Sequence, residues 1–224
     1  MSLTVSEVFG PTWQGEGPST GRRAGFVRLG RCNLTCAWCD TPYTWDWARF
    51  DQAKELDERP VDEIVAALEA MSVDLVVITG GEPLLQQHRM APLLEAAVER
   101  AWRVEVETNG TIAPEVRADQ WNVSPKLANS EIPLPRRYRP DVLRAFQATG
   151  GAVFKFVATT AGDLDEVGEI VDECGLTDVW IMPEGRDAHT VSRRLAELAP
   201  SVVARGWNLS PRLHVQLWGD ARGV

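Results

Sequence analysis

Three of the four cysteines in this 224-residue chain lie within eight residues, in the run Cys32-Asn-Leu-Thr-Cys36-Ala-Trp-Cys39-Asp-Thr. Thiolates at spacings of four and three residues can converge on one centre, and thiolates select zinc, copper(I) or iron–sulfur clusters. A structural zinc site asks for four ligands, usually as two separated pairs. No fourth ligand stands near: Cys174 is remote and falls in a helical pattern, and His88, His189 and His214 are distant in sequence. Ordinary 4Fe-4S sites also take four cysteines. Three cysteines alone therefore point to a cluster with one iron open to another ligand. A zinc knuckle and a set of buried structural cysteines are the alternatives, since free cysteines favour burial. Asn33, Thr35 and Asp40 do not read as core.

Other segments carry chemistry of their own. Thr79-Gly80-Gly81-Glu82-Pro83 has two glycines that let backbone approach a ligand closely, and Glu82 can accept from an ammonium. Arg28 interrupts an apolar run just before the cysteines, and an arginine in a core-like strand needs a partner, often a carboxylate. That partner is either an anionic ligand or one of the chain's 32 acidic residues. Ser6 to Gly21 holds the distinctive Trp13-Gln14-Gly15-Glu16-Gly17. Ser124-Pro125-Lys126 and Met182-Pro183-Glu184-Gly185 could each be plain loop chemistry, with Pro and Gly as punctuation.

The elements that must position these residues follow from periodicity. Strands are expected at 25–29, 74–79, 103–107, 121–123, 153–157, 179–182 and 213–217. Helical spacing marks 61–71, 90–101, 164–174 and 191–199. Alternating strand and helix implies parallel strands joined by right-handed crossovers. The expected class is α/β: a partial, modified β/α barrel of about six to seven mainly parallel strands, short of the full eight, with an open doubly wound sheet also compatible. In either architecture the site lies at the carboxyl ends of the strands. The cysteine loop, Gly-Gly-Glu-Pro, Thr108-Asn109-Gly110, Ser-Pro-Lys and Pro-Glu-Gly all fall there. One domain is expected over 1–224, with a substrate segment at 5–29 and a cluster loop at 31–45.

Composition narrows the classes. Lys plus Arg number 23 against 32 Asp plus Glu, a net charge of −9. Such a chain has no general attraction for nucleic acid or an anionic membrane. No apolar run reaches membrane-spanning length. The N-terminus shows no basic stretch followed by an apolar run, so the cytoplasm is the expected compartment. That reducing setting disfavours a disulfide framework.

Cys-x3-Cys-x2-Cys with Trp38 before the last cysteine resembles the signature of the radical S-adenosylmethionine superfamily. The resemblance implies that the open iron binds the amino and carboxylate groups of S-adenosylmethionine, and that reductive cleavage yields a 5′-deoxyadenosyl radical. Gln-Gly-Glu-Gly, Cys-Asp-Thr, Thr-Gly-Gly-Glu-Pro, Glu-Thr-Asn-Gly and Ser-Pro-Lys, in this order, resemble the 7-carboxy-7-deazaguanine synthase family over nearly the whole chain. That resemblance implies a shortened β/α barrel, generally a homodimer. It implies conversion of 6-carboxy-5,6,7,8-tetrahydropterin to 7-carboxy-7-deazaguanine with loss of ammonia, feeding 7-deazapurines such as queuosine. Electrons would come from a flavodoxin- or ferredoxin-type reductant.

Site roles are implied in the same way. Cys32, Cys36 and Cys39 hold the cluster, and Thr41 is the Mg2+ ligand. Trp13, Gln14, Gly15, Glu16, Arg28, Thr79 and the C-terminal Val224 contact substrate. Trp38, Asp40, Gly81, Glu82, Ser124, Pro125, Lys126, Met182, Pro183, Glu184 and Gly185 contact S-adenosylmethionine. A glycyl-radical activase shares the cysteines and the Gly-Gly-Glu-Pro loop, but Gln14 to Gly17 with Arg28 suits a small anionic substrate. A zinc-binding interaction module is the alternative from another class.

Overall fold

The computed structural model describes residues 1–224. Nine strands form one sheet: β1 (Ser2–Trp13), β2 (Arg23–Leu29), β3 (Asp57–Pro60), β4 (Leu75–Gly80), β5 (Arg103–Thr108), β6 (Gln120–Val123), β7 (Ala152–Ala158), β8 (Val179–Pro183) and β9 (Asn208–Leu209). Their order is β3-β1-β2-β4-β5-β6-β7-β8-β9. From β2 to β9 every pairing is parallel, while β1 runs antiparallel to both β2 and β3. The expected parallel set is present, and the antiparallel edge pair is added to it. Helices are α1 (Gln52–Glu55), α2 (Val61–Met71), α3 (Gln87–Glu99), α4 (Leu134–Arg137), α5 (Pro140–Ala148), α6 (Asp163–Cys174), α7 (Ala188–Ala204) and α8 (Leu213–Trp218).

The two faces of the sheet differ because side chains alternate along a strand. Val27, Leu29, Val76, Ile78, Val104, Val106, Trp121, Val123, Phe154 and Phe156 belong to the main core with the crossover helices. There Trp121 meets Phe146 of α5 edge-on at 5.4 Å between centroids. Truncating such a buried ring costs about 3–5 kcal/mol. On the other face Ala24, Phe26, Leu75 and Val77 form a small apolar plug. Further along β2 and β4 stand Arg28 and Thr79, and the neighbouring strands β5, β6 and β7 carry Glu105, Glu107, Asn122 and Lys155. Arg28 is paired in register with Thr79, and Glu107 with Asn122. The inside of the partial barrel is thus apolar at the base of β2 and β4, while β5 carries charge already at that level, Glu105 being paired in register with Val77.

One expected strand is corrected. Residues 213–217 form helix α8, not a strand. Leu-His-Val-Gln-Leu alternates like a strand, but only Val215 is buried and Leu217 is exposed. The bonds close locally, Gln216 N–H to Arg212 O and Gly219 N–H to Val215 O. Strand β1 lies outside the strands expected from the sequence; it buries Leu3 and Val5 and pairs on both sides, with β2 and β3. Exposed β3 has no strand propensity and exists by pairing with β1.

Candidate active site

A cavity of about 540 Å³ opens at the carboxyl rim of the barrel. Cys32, Cys36, Cys39, Trp38, Asp40 and Thr41 line one side. Trp13, Gln14, Gly15, Glu16, Arg28 and Thr79 line another, and Gly81, Ser124, Lys126, Met182, Glu184 and Val224 complete the expected residues that reach it. Glu82, Pro125, Pro183 and Gly185 do not line it.

The cluster loop is built on two glycines. Arg31 N–H bonds Thr44 O at 2.7 Å, and the next loop bonds back through Gly81 N–H to Leu29 O and Glu82 N–H to Arg31 O. A Cβ at Gly80 would sit 2.1 Å from Leu29 O, and one at Gly81 would sit 2.1 Å from Arg31 O and 2.9 Å from Cys32 Cβ. The Gly-Gly pair thus lets strand β4 pack its exit loop onto the cysteine loop. Glu82 is fully buried, and its carboxylate accepts from Leu84 N–H, Thr108 Oγ1–H and Asn109 N–H. Burial pushes its carboxyl up, against these three donors. In the protein itself these bonds tie two rim loops together.

The three cysteines line the cavity, and two of their sulfurs have donors beside them. Leu34 N–H points at Cys32 Sγ (3.4 Å) and the Trp45 indole N–H at Cys39 Sγ (3.3 Å). Burial pushes the Cys32 thiol up to about 12 and raises that of Cys36. Without metal the pair stays protonated, and ligation must displace those protons. No group of three or more His, Cys, Asp or Glu side chains converges as the ligands of a single ion. Three thiols that share a cavity without sharing a point suit a multi-iron cluster, in which each binds a different iron, better than one zinc. Cys174 is no fourth ligand: it is buried against Tyr138 and Pro140 O, outside the cavity. The indole of Trp38 bonds Asn129 Oδ1, and Lys126 Nζ lies 5.5 Å above its ring while donating to Ser124 Oγ at 2.8 Å.

The opposite side is a charge network that sequence reasoning found only in part. Lys155, from the middle of β7, donates to Glu16 at 2.5 Å and lies 3.5 Å from Glu107. Glu107 also accepts from Gln14 Nε2 and Thr79 Oγ1. Arg212 bonds Glu16 at 3.0 Å, Asp40 and Gly185 O. Burial alone would raise the Glu16 carboxyl, but Lys155, Arg212 and His214 outweigh it and hold it well below the carboxylate range. Burial would lower Lys155, but Glu107 and Glu16 raise it, so both partners are ionised. Arg28 finds its carboxylate in Glu7 at 2.8 Å, through Nε.

Glu107, Asn122, Lys155, Arg212 and His214 all line the cavity and were not anticipated. The signal existed for Lys155, which breaks the apolar run Ala-Val-Phe-Lys-Phe-Val-Ala as Arg28 breaks its own. His214, set aside as distant, arrives on α8: a Cβ on Gly15 would lie 2.0 Å from its Nδ1, so only glycine fits beside it.

A partial parallel barrel with three cysteines on the loop after its first parallel strand is the fold of a radical S-adenosylmethionine enzyme, and residues 27–121 match the family model described as the Radical SAM superfamily. E. coli QueE, in its crystal structure, is similar over 96% of this chain and 95% of its own, with a TM-score of 0.73 and 27% identity. Streptococcus suis SuiB bound to its precursor peptide shares the fold alone, with a TM-score of 0.60 and 14% identity over 86% of this chain and 49% of that one. The 7-carboxy-7-deazaguanine synthase of Pyrobaculum aerophilum is 38% identical, covering 99% of this chain and 97% of that protein. That of Hyperthermus butylicus is 37% identical, covering 95% and 92%. The chain belongs to the 7-carboxy-7-deazaguanine synthase family. No helix is long and apolar enough to cross a membrane.

Proposed function

We propose that the chain contracts 6-carboxy-5,6,7,8-tetrahydropterin to 7-carboxy-7-deazaguanine with release of ammonia, in the formation of 7-deazapurines of the queuosine type. The observation that carries this reading is the sharing of one cavity by the three cysteines and the Arg28, Glu16, Glu107 and Lys155 network. When bound, the cluster and S-adenosylmethionine supply a radical that takes hydrogen from carbon.

The chain's own residues bind and orient. Arg28 offers a guanidinium to the substrate carboxylate, a pairing that guanidinium geometry favours. Glu16, kept ionised by Lys155 and Arg212, and Glu107 beside it accept from the N–H edges of a pterin head, and Gln14, Gly15 and Thr79 frame it, with Trp13 at the edge. Cys32, Cys36 and Cys39 would hold the cluster. Trp38, Asp40, Gly81, Ser124, Lys126, Met182 and Glu184 would cradle S-adenosylmethionine, while Glu82, Pro125, Pro183 and Gly185 would shape the loops behind them. The Thr41 hydroxyl is an oxygen donor of the kind Mg2+ takes, the remaining positions being left to water and substrate oxygens. The family resemblance supports a homodimer in the cytoplasm, a single catalytic domain over 1–224, and a flavodoxin- or ferredoxin-type electron donor.

Deuterium placed at C6 of the pterin tests the reaction. It is expected in 5′-deoxyadenosine or returned to product; its absence from both contradicts hydrogen abstraction at that carbon.

A further inference from the structure

Residues 219–224 all line the cavity. Asp220 lies 3.7 Å from Arg186, whose guanidinium also donates to Cys39 O in the cluster loop. Arg222, though partly exposed, has four partners. Its Nε donates to Glu7 Oε1 at 2.6 Å, and one terminal nitrogen donates to Glu55 Oε2 at 2.6 Å. The other terminal nitrogen lies 3.4 Å from Ser6 Oγ, and the guanidinium stacks 3.9 Å from the Tyr43 ring centroid.

Glu7 is the shared element. Its second oxygen, Oε2, accepts from Arg28 Nε at 2.8 Å and from the Tyr43 hydroxyl at 3.2 Å. One mostly buried carboxylate therefore joins the tail arginine to the strand arginine. A carboxylate can accept two guanidinium bonds in a fork. With Arg222 on one oxygen, Arg28 is restricted to the other, and it engages Glu7 through Nε only. Its terminal nitrogens have no protein partner and remain for a ligand in the cavity. Without Arg222, Glu7 is free to take Arg28 with both oxygens and turn it from the cavity, while the tail loses this anchor.

We infer that Arg222 is a positioning residue for the substrate. It straps the C-terminal tail to the cavity wall and, through Glu7, keeps the outer nitrogens of Arg28 available to an anionic substrate group. This rests on the reading of Arg28 as the substrate carboxylate's partner given above.

The test uses the full-length, cluster-loaded enzyme. First, kcat and KM for the pterin are measured for wild type, R222M and R222K. Second, loss of Val224 to a carboxypeptidase is followed by mass spectrometry in wild type and in E55K, which keeps the tail sequence and the Arg28–Glu7 pair. R222M is expected to raise KM about tenfold, a loss of about 1.4 kcal/mol in binding, with kcat changed much less. R222K should recover part of the loss, since lysine keeps the charge but not the fork. E55K should shed Val224 several times faster than wild type. A KM for R222M within twofold of wild type overturns the inference, and so does a tail equally resistant in E55K. A wild type that forms no product contradicts the proposed reaction instead, and the carboxypeptidase comparison still decides whether the strap exists.

Discussion

Arg212 places one guanidinium between Glu16, at 3.0 Å, and Asp40, the residue that follows the last of the three clustered cysteines. Residues 196 and 172 positions apart in the chain are thereby joined inside one cavity. The link couples the cluster loop to the network expected to read the substrate.

Replacing Arg212 with methionine leaves Glu16 buried without one of its cations and facing Asp40. Breaking a buried pair from one side costs about 3–5 kcal/mol, and the partial exposure of Asp40 puts R212M at the lower end. Glu16 has its folded-state pKa depressed, so its contribution to stability is fully present above its ordinary value of 4.5 and fades as pH falls from there. Denaturant unfolding at a series of pH values checks both points. Wild type should lose stability as pH drops below that value, and R212M should start lower and lose less.

Substituting Cys32, Cys36 or Cys39 with serine removes a ligand that no nearby cysteine can replace. After anaerobic reconstitution, wild type should carry about four iron and four sulfide per chain, and each variant far less. The C174S variant should match wild type, because Cys174 is buried away from the cavity.

Lys155 is 4% exposed and is the cation common to Glu16 and Glu107. The K155M variant should lose both stability and activity. Removing one member of a buried charged network costs at least about 2 kcal/mol, so kcat/KM should fall about thirtyfold or more. Steady-state kinetics alongside thermal melts separates a loss of binding from a loss of fold.

Gly81 has no room for a methyl group. G81A would force Arg31 O and Cys32 Cβ to move, an overpacking cost of about 1–3 kcal/mol. The displaced cysteine loop should hold less iron after reconstitution, measurable against wild type at equal protein.

The rim was legible because parallel β/α folds gather their loops at one end. Each motif after a predicted strand, from Cys32 to Glu184, places at least one residue in the cavity wall. The inward charges were harder. Lys155 and Glu107 occupy apolar strands, where only burial on the barrel's inner face makes them functional rather than solvated. Arg212 and His214 depend on α8, whose five alternating residues look like a strand until local hydrogen bonds and the exposure of Leu217 decide for helix. Glu82 shows a second role the motif did not announce: a carboxylate after two glycines suggests a ligand contact, and here it also accepts from three protein donors that join two rim loops.

The central claim is the ring contraction itself. Reconstituted enzyme, S-adenosylmethionine, a reductant, Mg2+ and 6-carboxytetrahydropterin are incubated anaerobically, and the products are separated by mass. The account predicts 7-carboxy-7-deazaguanine together with ammonia, formed by wild type and lost in C36S. A fully loaded cluster that cleaves S-adenosylmethionine yet yields no deazaguanine would contradict it.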